Sequence, residues 1–134
     1  MAFDRIWGDK IRKTVILDSS ALLSFFEFSV DWEKELCQLV GAYRLVVPSA
    51  VVRELQILAK RTTGPKKAIA ALKLIAKLET IDTKIDSADE ACVQIAEKVH
   101  GIVVTNDMAL REQLKNHNIP VIFLREKRKL VLDE

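Results

Sequence analysis

The hydrophobic residues of this chain alternate between short continuous runs and longer stretches with helical spacing. Continuous apolar runs lie at 15–17, 45–47, 102–104 and 119–124, a pattern typical of strands buried on both faces. A short segment at 79–85 predicts an edge strand. Between the runs, apolar residues recur three or four positions apart, as in amphipathic helices. The alternation predicts an α/β fold, a three-layer α/β/α sandwich whose central sheet is mostly parallel and joined by right-handed crossovers.

Capping residues indicate where several of the helices begin and end. Asp31 and Ser49 are predicted N-caps, and Ser87 to Glu90 form a capping box in which Ser87 bonds forward and Glu90 back. Gly41 and Gly101 are predicted to end helices. His100, in a last turn, is predicted to be a surface residue that compensates the helix dipole.

Length and composition set broad limits on the protein. The 134 residues suit one domain, 1–134, in which residues 1–13 form an N-terminal extension that either packs on the domain or binds a partner. Cys37 and Cys92 are predicted to be reduced core residues. No apolar run approaches the roughly 18 residues of a membrane span, and the first residues lack the apolar stretch of a signal peptide. A cytoplasmic protein without a membrane segment is therefore expected.

Four acidic residues stand where strands end or helices begin. Asp18 follows the first strand, Glu54 lies in the second turn of the helix after the second strand, Asp89 opens a helix, and Asp107 follows the third long strand. Residues at the carboxyl ends of parallel strands gather at one edge of the sheet. Carboxylates brought together there repel one another and favour a divalent cation. The sequence thus predicts that all four acids form one metal site.

The chemistry of these acids points to phosphate esters. Hard ions such as Mg²⁺ and Mn²⁺ prefer oxygen ligands and commonly bridge carboxylates to a substrate phosphate. Zinc is disfavoured because no histidine or cysteine accompanies the acids. A metal held this way activates water for hydrolysis of a phosphodiester. Structural roles are the alternative for three residues. Glu54 would complement a helix dipole, Glu90 would complete a capping box, and Asp89 would have a structural role at the same helix start.

Four sequence blocks resemble the motifs of the PIN-domain ribonucleases, in order and in spacing. They are VILDSSALL (15–23), VPSAVVREL (47–55), SADEA (87–91) and VVTNDMALR (103–111). The nearest likeness is to the VapC-like and ribosomal-RNA-processing branches. The resemblance implies an α/β/α sandwich, cleavage of RNA with Mg²⁺ or Mn²⁺, and a homodimer, with an antitoxin protein as partner if the chain is a toxin of a toxin-antitoxin pair.

The resemblance also assigns roles to particular residues. It implies that the catalytic, metal-binding residues are Asp18, Glu54, Asp89 and Asp107. It implies that Ser20 and Thr105 support them as hydroxyl partners. Glu90 is a further supporting candidate, because Asp89-Glu90 stands where some relatives have two aspartates.

An acidic pocket repels phosphate, so RNA needs cations nearby. The segment after the Glu54 helix supplies Lys60, Arg61, Lys66 and Lys67, which we predict to bind RNA; a solvated turn is the alternative. The basic tail at 125–129, predicted to be exposed, is the next candidate.

Two other functional classes fit parts of the pattern. A response-regulator receiver shares the length and an acidic Mg²⁺ pocket, but it would need an acidic pair after the first strand, where this chain has Ser19-Ser20. A non-catalytic RNA- or antitoxin-binding module on the same fold is the stronger rival. Metal-dependent cleavage of RNA separates that module from a ribonuclease.

Overall fold

The protein is described from a computed structural model, which covers residues 12–134. The predicted N-terminal extension, apart from its last two residues, lies outside the described residues. Lys13, at its end, begins the first strand of the sheet.

A six-stranded sheet forms the centre of the molecule. Its strands are β1 (Lys13–Leu17), β2 (Tyr43–Pro48), β3 (Glu79–Ile81), β4 (Ile102–Val104), β5 (Val121–Arg125) and β6 (Lys129–Asp133). The spatial order is β3-β2-β1-β4-β5-β6, with β1 to β5 parallel and β6 antiparallel to β5. The prediction of a mostly parallel sheet is confirmed.

Six helices connect these strands within residues 12–134. They are α1 (Ser19–Glu27), α2 (Trp32–Val40), α3 (Ser49–Ala59), α4 (Lys66–Ile75), α5 (Ala88–Val99) and α6 (Met108–Asn116). Successive residues of β1, from Val15 to Leu17, point to opposite faces of the sheet, and all three are fully buried. Helices therefore cover both faces of the sheet, as expected for a three-layer sandwich. Among residues 12–134, no helix combines the length and the apolar character needed to cross a bilayer.

Some helix boundaries differ from the sequence prediction. Asp31 caps α2, Ser87 caps α5 and Gly41 ends α2, as predicted. Ser49 is not an N-cap: Pro48 precedes α3, and the Ser49 hydroxyl instead accepts a hydrogen bond from the Thr83 amide at 3.0 Å. This bond holds the segment after β3 against the start of α3.

The end of α5 also differs from the prediction. His100, not Gly101, takes the left-handed conformation that ends the helix, with φ of 53°. Gly101 is required for space instead, because a Cβ there would lie 2.6 Å from Cδ1 of Ile16. The glycine lets α5 and β4 approach the central strand closely.

The prediction that both cysteines lie in the core was wrong for one of them. Cys92 is buried, but Cys37 is exposed, because α2 turns that side of its surface to solvent while Leu36 enters the core. Residues 125–129 are exposed, as predicted. The sequence analysis did not predict β6, which begins at Lys129 and pairs with β5, and in which Leu130 is buried. The strand reads KLVLD, three apolar residues between two charged ends.

Candidate active site

The topology brings two of the predicted acids together directly. Asp18 follows β1 and Asp107 comes three residues after β4, and these strands are neighbours in the sheet with Leu17 opposite Val104. The Asp18 amide donates to the Val104 carbonyl at 3.1 Å, which extends the parallel pairing into the site. On the other side of β1, strand β2 ends at Pro48 and leads into α3, which carries Glu54.

All four predicted acids line one open cleft at this edge of the sheet. The cleft has a volume of about 540 Å³, and its lining consists of Asp18, Ser19, Ser20, Leu23, Glu54, Asp86, Ser87, Ala88, Asp89 and Asp107. Asp86, which the sequence analysis did not select, is a fifth acid in this lining. No lysine or arginine belongs to the lining. The cleft is therefore strongly anionic.

Asp18 is held at the base of the cleft by two hydroxyl groups. Only 3% of the residue is exposed, and its Oδ2 accepts hydrogen bonds from Ser20 Oγ at 2.8 Å and from Thr105 Oγ1 at 2.7 Å. Each hydroxyl has a single hydrogen, which it gives to Asp18. The 3.1 Å approach between Ser20 and Thr105 is therefore close packing of two donors around one oxygen.

The same two hydroxyls also order the segment that leads to Asp107. Ser20 Oγ accepts from the amide of Asn106 at 3.0 Å, and Thr105 Oγ1 accepts from the amide of Asp107 at 3.1 Å. Thr105 is fully buried, so its two bonds are shielded from water. The two hydroxyls predicted to support the acids thus link the start of α1 to the segment after β4.

Asp107 has a structural task as well as a place in the cleft. Its Oδ1 accepts from the amides of Ala109 at 2.9 Å and Leu110 at 3.2 Å, which makes it the N-cap of α6. A cap of this kind fixes the carboxylate relative to the helix axis. The Asp107 carboxylate is therefore oriented by backbone groups, whereas Asp18 is oriented by side chains.

Glu54 is positioned by a residue that the sequence analysis missed. Ser19 Oγ donates to Glu54 Oε1 at 2.6 Å, across 35 residues of sequence. Ser19 is 5% exposed and opens α1 directly after Asp18. The only signal in the sequence is its place between Asp18 and Ser20.

The acids influence one another electrostatically. The pKa of Asp89 is raised, first by burial and then by the negative charges of the three other predicted acids, Asp18, Asp107 and Glu54. Burial and the same kind of repulsion also raise the pKa of the nearby Cys92 thiol well above its ordinary value. Both shifts show that negative charge accumulates in the cleft and that a proton or a cation is favoured there.

The donor set fits a hard divalent ion, but the acids do not form a finished metal centre. Within residues 12–134, no three acidic, histidine or cysteine side chains are arranged to hold one ion together. The four predicted acids therefore share one cleft, but they are not arranged around a single point as metal ligands. The chemistry of the lining still suits Mg²⁺ or Mn²⁺, because such ions keep several waters and commonly take only one or two carboxylates from the protein.

Other predicted site residues lie outside this cleft. Glu90 lines a separate groove between α5 and α6, together with Glu97 and His117. The amide of Glu90 bonds to Ser87 as half of the predicted capping box. Its side chain is thus not brought to the acidic cleft.

The predicted RNA-binding residues are also absent from the lining. Lys60 follows the last residue of α3, six residues after Glu54, or about 9 Å along the helix axis. Lys66 and Lys67 begin α4, and Nζ of Lys67 lies 3.2 Å from Oε1 of Glu27 at the end of α1. Arg61 lies in the exposed turn between the two helices. If these four residues bind RNA, they therefore contact a part of the RNA that lies outside the acidic cleft.

Comparison with known proteins identifies relatives along almost the whole chain. Residues 15–127 match the family described as PIN like domain. Ribonuclease VapC9 of Archaeoglobus fulgidus is 30% identical over 135 aligned positions, which cover 99% of this chain and 98% of the relative.

Two solved structures share the fold. The PIN domain endonuclease Utp24 superposes with a TM-score of 0.76 at 20% identity, over 92% of each chain. A chain of VapBC2 from Rickettsia felis, solved bound to a DNA fragment from their promoter, superposes with a TM-score of 0.63 at 16% identity, over 84% of this chain and 99% of the other. The family match and the full-length relative lead to one conclusion: the chain belongs to the PIN-like domain family.

Proposed function

We propose that this protein is a metal-dependent endoribonuclease that hydrolyses phosphodiester bonds in RNA. The observation that carries the proposal is the single cleft lined by Asp18, Glu54, Asp89 and Asp107, in which the pKa of Asp89 is raised. The similarity to Ribonuclease VapC9 over nearly all of both chains supports the choice of RNA. The acidic lining accounts for a requirement for Mg²⁺ or Mn²⁺, because five carboxylates without a cation would repel a phosphate.

The chain's own residues have distinct tasks in this proposal. Asp18, Glu54, Asp89 and Asp107 line the place where the ion would bind, with one or two of them as direct ligands and water in the remaining positions. The chemistry that the ion supplies when bound is charge neutralisation and activation of water. Ser20 and Thr105 keep the Asp18 carboxylate in one orientation through bonds of 2.8 and 2.7 Å. Ser19 does the same for Glu54. Fixed carboxylates lower the cost of arranging ligands for each catalytic cycle.

The biological context follows from the relatives. We propose that the protein acts as a toxin with an antitoxin partner or as an RNA-processing nuclease; the similarity to Ribonuclease VapC9 supports the ribonuclease activity that both roles share. A homodimer stays a prediction from the family resemblance.

Cleavage of a labelled single-stranded RNA tests the proposal. We expect cleavage with Mg²⁺ or Mn²⁺, none with EDTA, and at least a hundredfold loss in Asp107→Asn. Asparagine is as good an N-cap as aspartate, so this change removes the charge while it keeps the cap of α6. Isothermal titration with Mn²⁺ and circular dichroism on the same variant would separate loss of metal from loss of folding.

Asp133→Asn is the matched control, because it removes one aspartate charge from the opposite edge of the sheet, where Asp133 faces Val121 at the start of β5. Activity in this variant should equal that of the parent. If the parent leaves RNA intact with either metal, the non-catalytic binding module becomes the better description of the protein.

A further inference from the structure

Two basic segments that are far apart in sequence meet at the C-terminal end of α1. Lys67, at the start of α4, forms an ion pair with Glu27 at 3.2 Å. Lys127, in the turn between β5 and β6, lies 5.6 Å from the ring centroid of Phe28. Glu27 and Phe28 are consecutive residues, so the two lysines flank one end of the helix although 60 positions separate them.

The turn that carries Lys127 stands on the same edge of the sheet as the acidic cleft. Strand β5 pairs with β4 up to Ile122 opposite Val104, and it then continues for three residues beyond the end of β4. The amide of Leu124, in this extension, donates to Asn106 Oδ1 at 2.8 Å. Asn106 directly precedes Asp107. The basic turn is therefore anchored to the segment that forms one wall of the cleft.

We call the four cations around this end of α1 the basic rim: Lys66 and Lys67 at the start of α4, and Lys127 and Arg128 in the β5–β6 turn. All four are exposed. Of these four cations, only Lys67 is in an ion pair with another residue of 12–134, and that pair is half-exposed and weak. Three charges of the rim remain available to an anion.

Two phenylalanines flank Glu27, the partner of Lys67, in the sequence. Phe26 is 42% exposed, and Phe28 is half-buried beneath Lys127. Phe25, by contrast, is buried and stacks on Trp32 at 4.8 Å. The end of α1 thus presents aromatic surface that the core does not use.

Exposed rings among unpaired cations are the features with which proteins bind single-stranded nucleic acid: cations hold phosphates and rings stack on bases. We propose that the C-terminal end of α1 is a subsite for single-stranded RNA, in which the basic rim holds the backbone and Phe26 and Phe28 stack on bases. Helix α1 begins at Ser19 in the cleft and spans nine residues, or about 13 Å. One strand of a few nucleotides can therefore occupy the subsite and the cleft together.

This inference rests on the proposed function, so its test measures binding without cleavage. Fluorescence anisotropy would follow a labelled oligouridylate of about a dozen nucleotides, with EDTA present, over a series of salt concentrations. Lys66→Gln with Lys127→Gln should reduce the log–log salt slope by about 1.4, since neither lysine is in an ion pair with another of the described residues and each phosphate contact contributes about 0.7 for single strands.

The matched control is Lys73→Gln with Lys77→Gln, which removes two lysine charges at the other end of α4 and just beyond it. Its salt slope should equal that of the parent. An equal fall in both double variants, or no fall in the rim variant, would overturn the proposal.

Phe26→Leu tests the stacking part, because leucine keeps an apolar surface but lacks a flat ring. We expect about tenfold weaker binding at every salt concentration with an unchanged slope. Unchanged affinity would overturn the stacking role and would point to Phe26 as a protein-docking residue instead. If neither the parent in EDTA nor the inactive Asp107→Asn variant with Mg²⁺ binds RNA, the subsite is refuted; RNA cleavage by the parent with Mn²⁺ then shows whether the proposed function still stands.

Discussion

Ser19 Oγ donates a hydrogen bond to Glu54 Oε1 at 2.6 Å and so joins the first residue of α1 to the middle of α3. Ser19 is buried, whereas Glu54 belongs to an exposed part of its helix. The bond therefore fixes the long, exposed side chain of Glu54 to the buried side chain of Ser19. It makes Ser19 a positioning residue for one wall of the acidic cleft.

Replacing Ser19 by alanine should weaken metal binding more than it weakens folding. Loss of a group that orients a ligating carboxylate typically lowers metal affinity about 10- to 100-fold. Glu54 is exposed enough for water to replace the lost donor, so the free energy of unfolding should fall by only about 1 kcal/mol. Calorimetric titration with Mn²⁺ and urea unfolding measure the two effects.

Ser24→Ala is the control for this change. Ser24 is also buried in α1, but its hydroxyl bonds to the Ala21 carbonyl within the same helix at 2.7 Å. Its loss should leave Mn²⁺ affinity unchanged. Equal affinities in the parent and in Ser19→Ala would show that the serine has no positioning role.

Thr105→Val should destabilise the protein strongly. Valine has the same shape, but it withdraws the donor to Asp18 Oδ2 and the acceptor of the Asp107 amide, in a position with no exposed surface. A lost hydrogen bond to a charged buried group costs about 2–3 kcal/mol. Urea unfolding of the variant measures this loss directly.

Thr105→Ser keeps the hydroxyl and loses only a methyl group, so it should stay within about 1 kcal/mol of the parent. If serine and valine destabilise the protein equally, packing rather than hydrogen bonding explains the need for threonine at this position.

Asp89→Asn should stabilise the metal-free protein at neutral pH. Because its pKa is raised, the folded protein binds the Asp89 proton more tightly than the unfolded chain does. The contribution of Asp89 to the free energy of unfolding therefore becomes less favourable as the pH rises from the ordinary aspartate range through the raised pKa, and it stays less favourable above. Asparagine removes this effect.

We expect the melting temperature of Asp89→Asn to exceed that of the parent by about one to a few degrees at neutral pH. The difference should shrink as the pH falls through the titration of Asp89. A gain that is independent of pH would mean that charge repulsion is not its cause. Excess Mn²⁺ should reverse the order, because binding to the folded parent raises its stability.

Gly101→Ala should be destabilising because the new Cβ meets Cδ1 of Ile16 at 2.6 Å and the carbonyl oxygen of Thr14 at 3.0 Å. Overpacking of this kind costs about 1–3 kcal/mol. Ile16→Val removes the nearest of these atoms, so the double variant should lose less stability than the sum of the two single changes. Strict additivity in urea unfolding would place the strain at the Thr14 carbonyl instead.

Local patterns in the sequence were sufficient for the fold class and for the four acids. Continuous apolar runs identify buried strands. Asp18 and Asp107 follow from their places at strand ends, because all parallel strands end at one edge of the sheet, whereas Glu54 and Asp89 follow from their places in the first two turns of helices. β6 was missed because three apolar residues beside a run of cations give a weak signal. Cys37 was misjudged because apolar neighbours in sequence do not decide which side of α2 faces solvent.

Contacts between distant residues were decided by the tertiary structure alone. How the helices pack on the sheet decides the bond from Ser19 to Glu54 and the separation of Glu90 from Asp89. It also decides the need for glycine at 101 and the approach of Lys67 and Lys127 to the same end of α1. Strand periodicity and caps reflect interactions within a few residues, so they are readable in sequence. The orientation of one helix against another is set by side chains packed from many parts of the chain, and only the folded protein combines them.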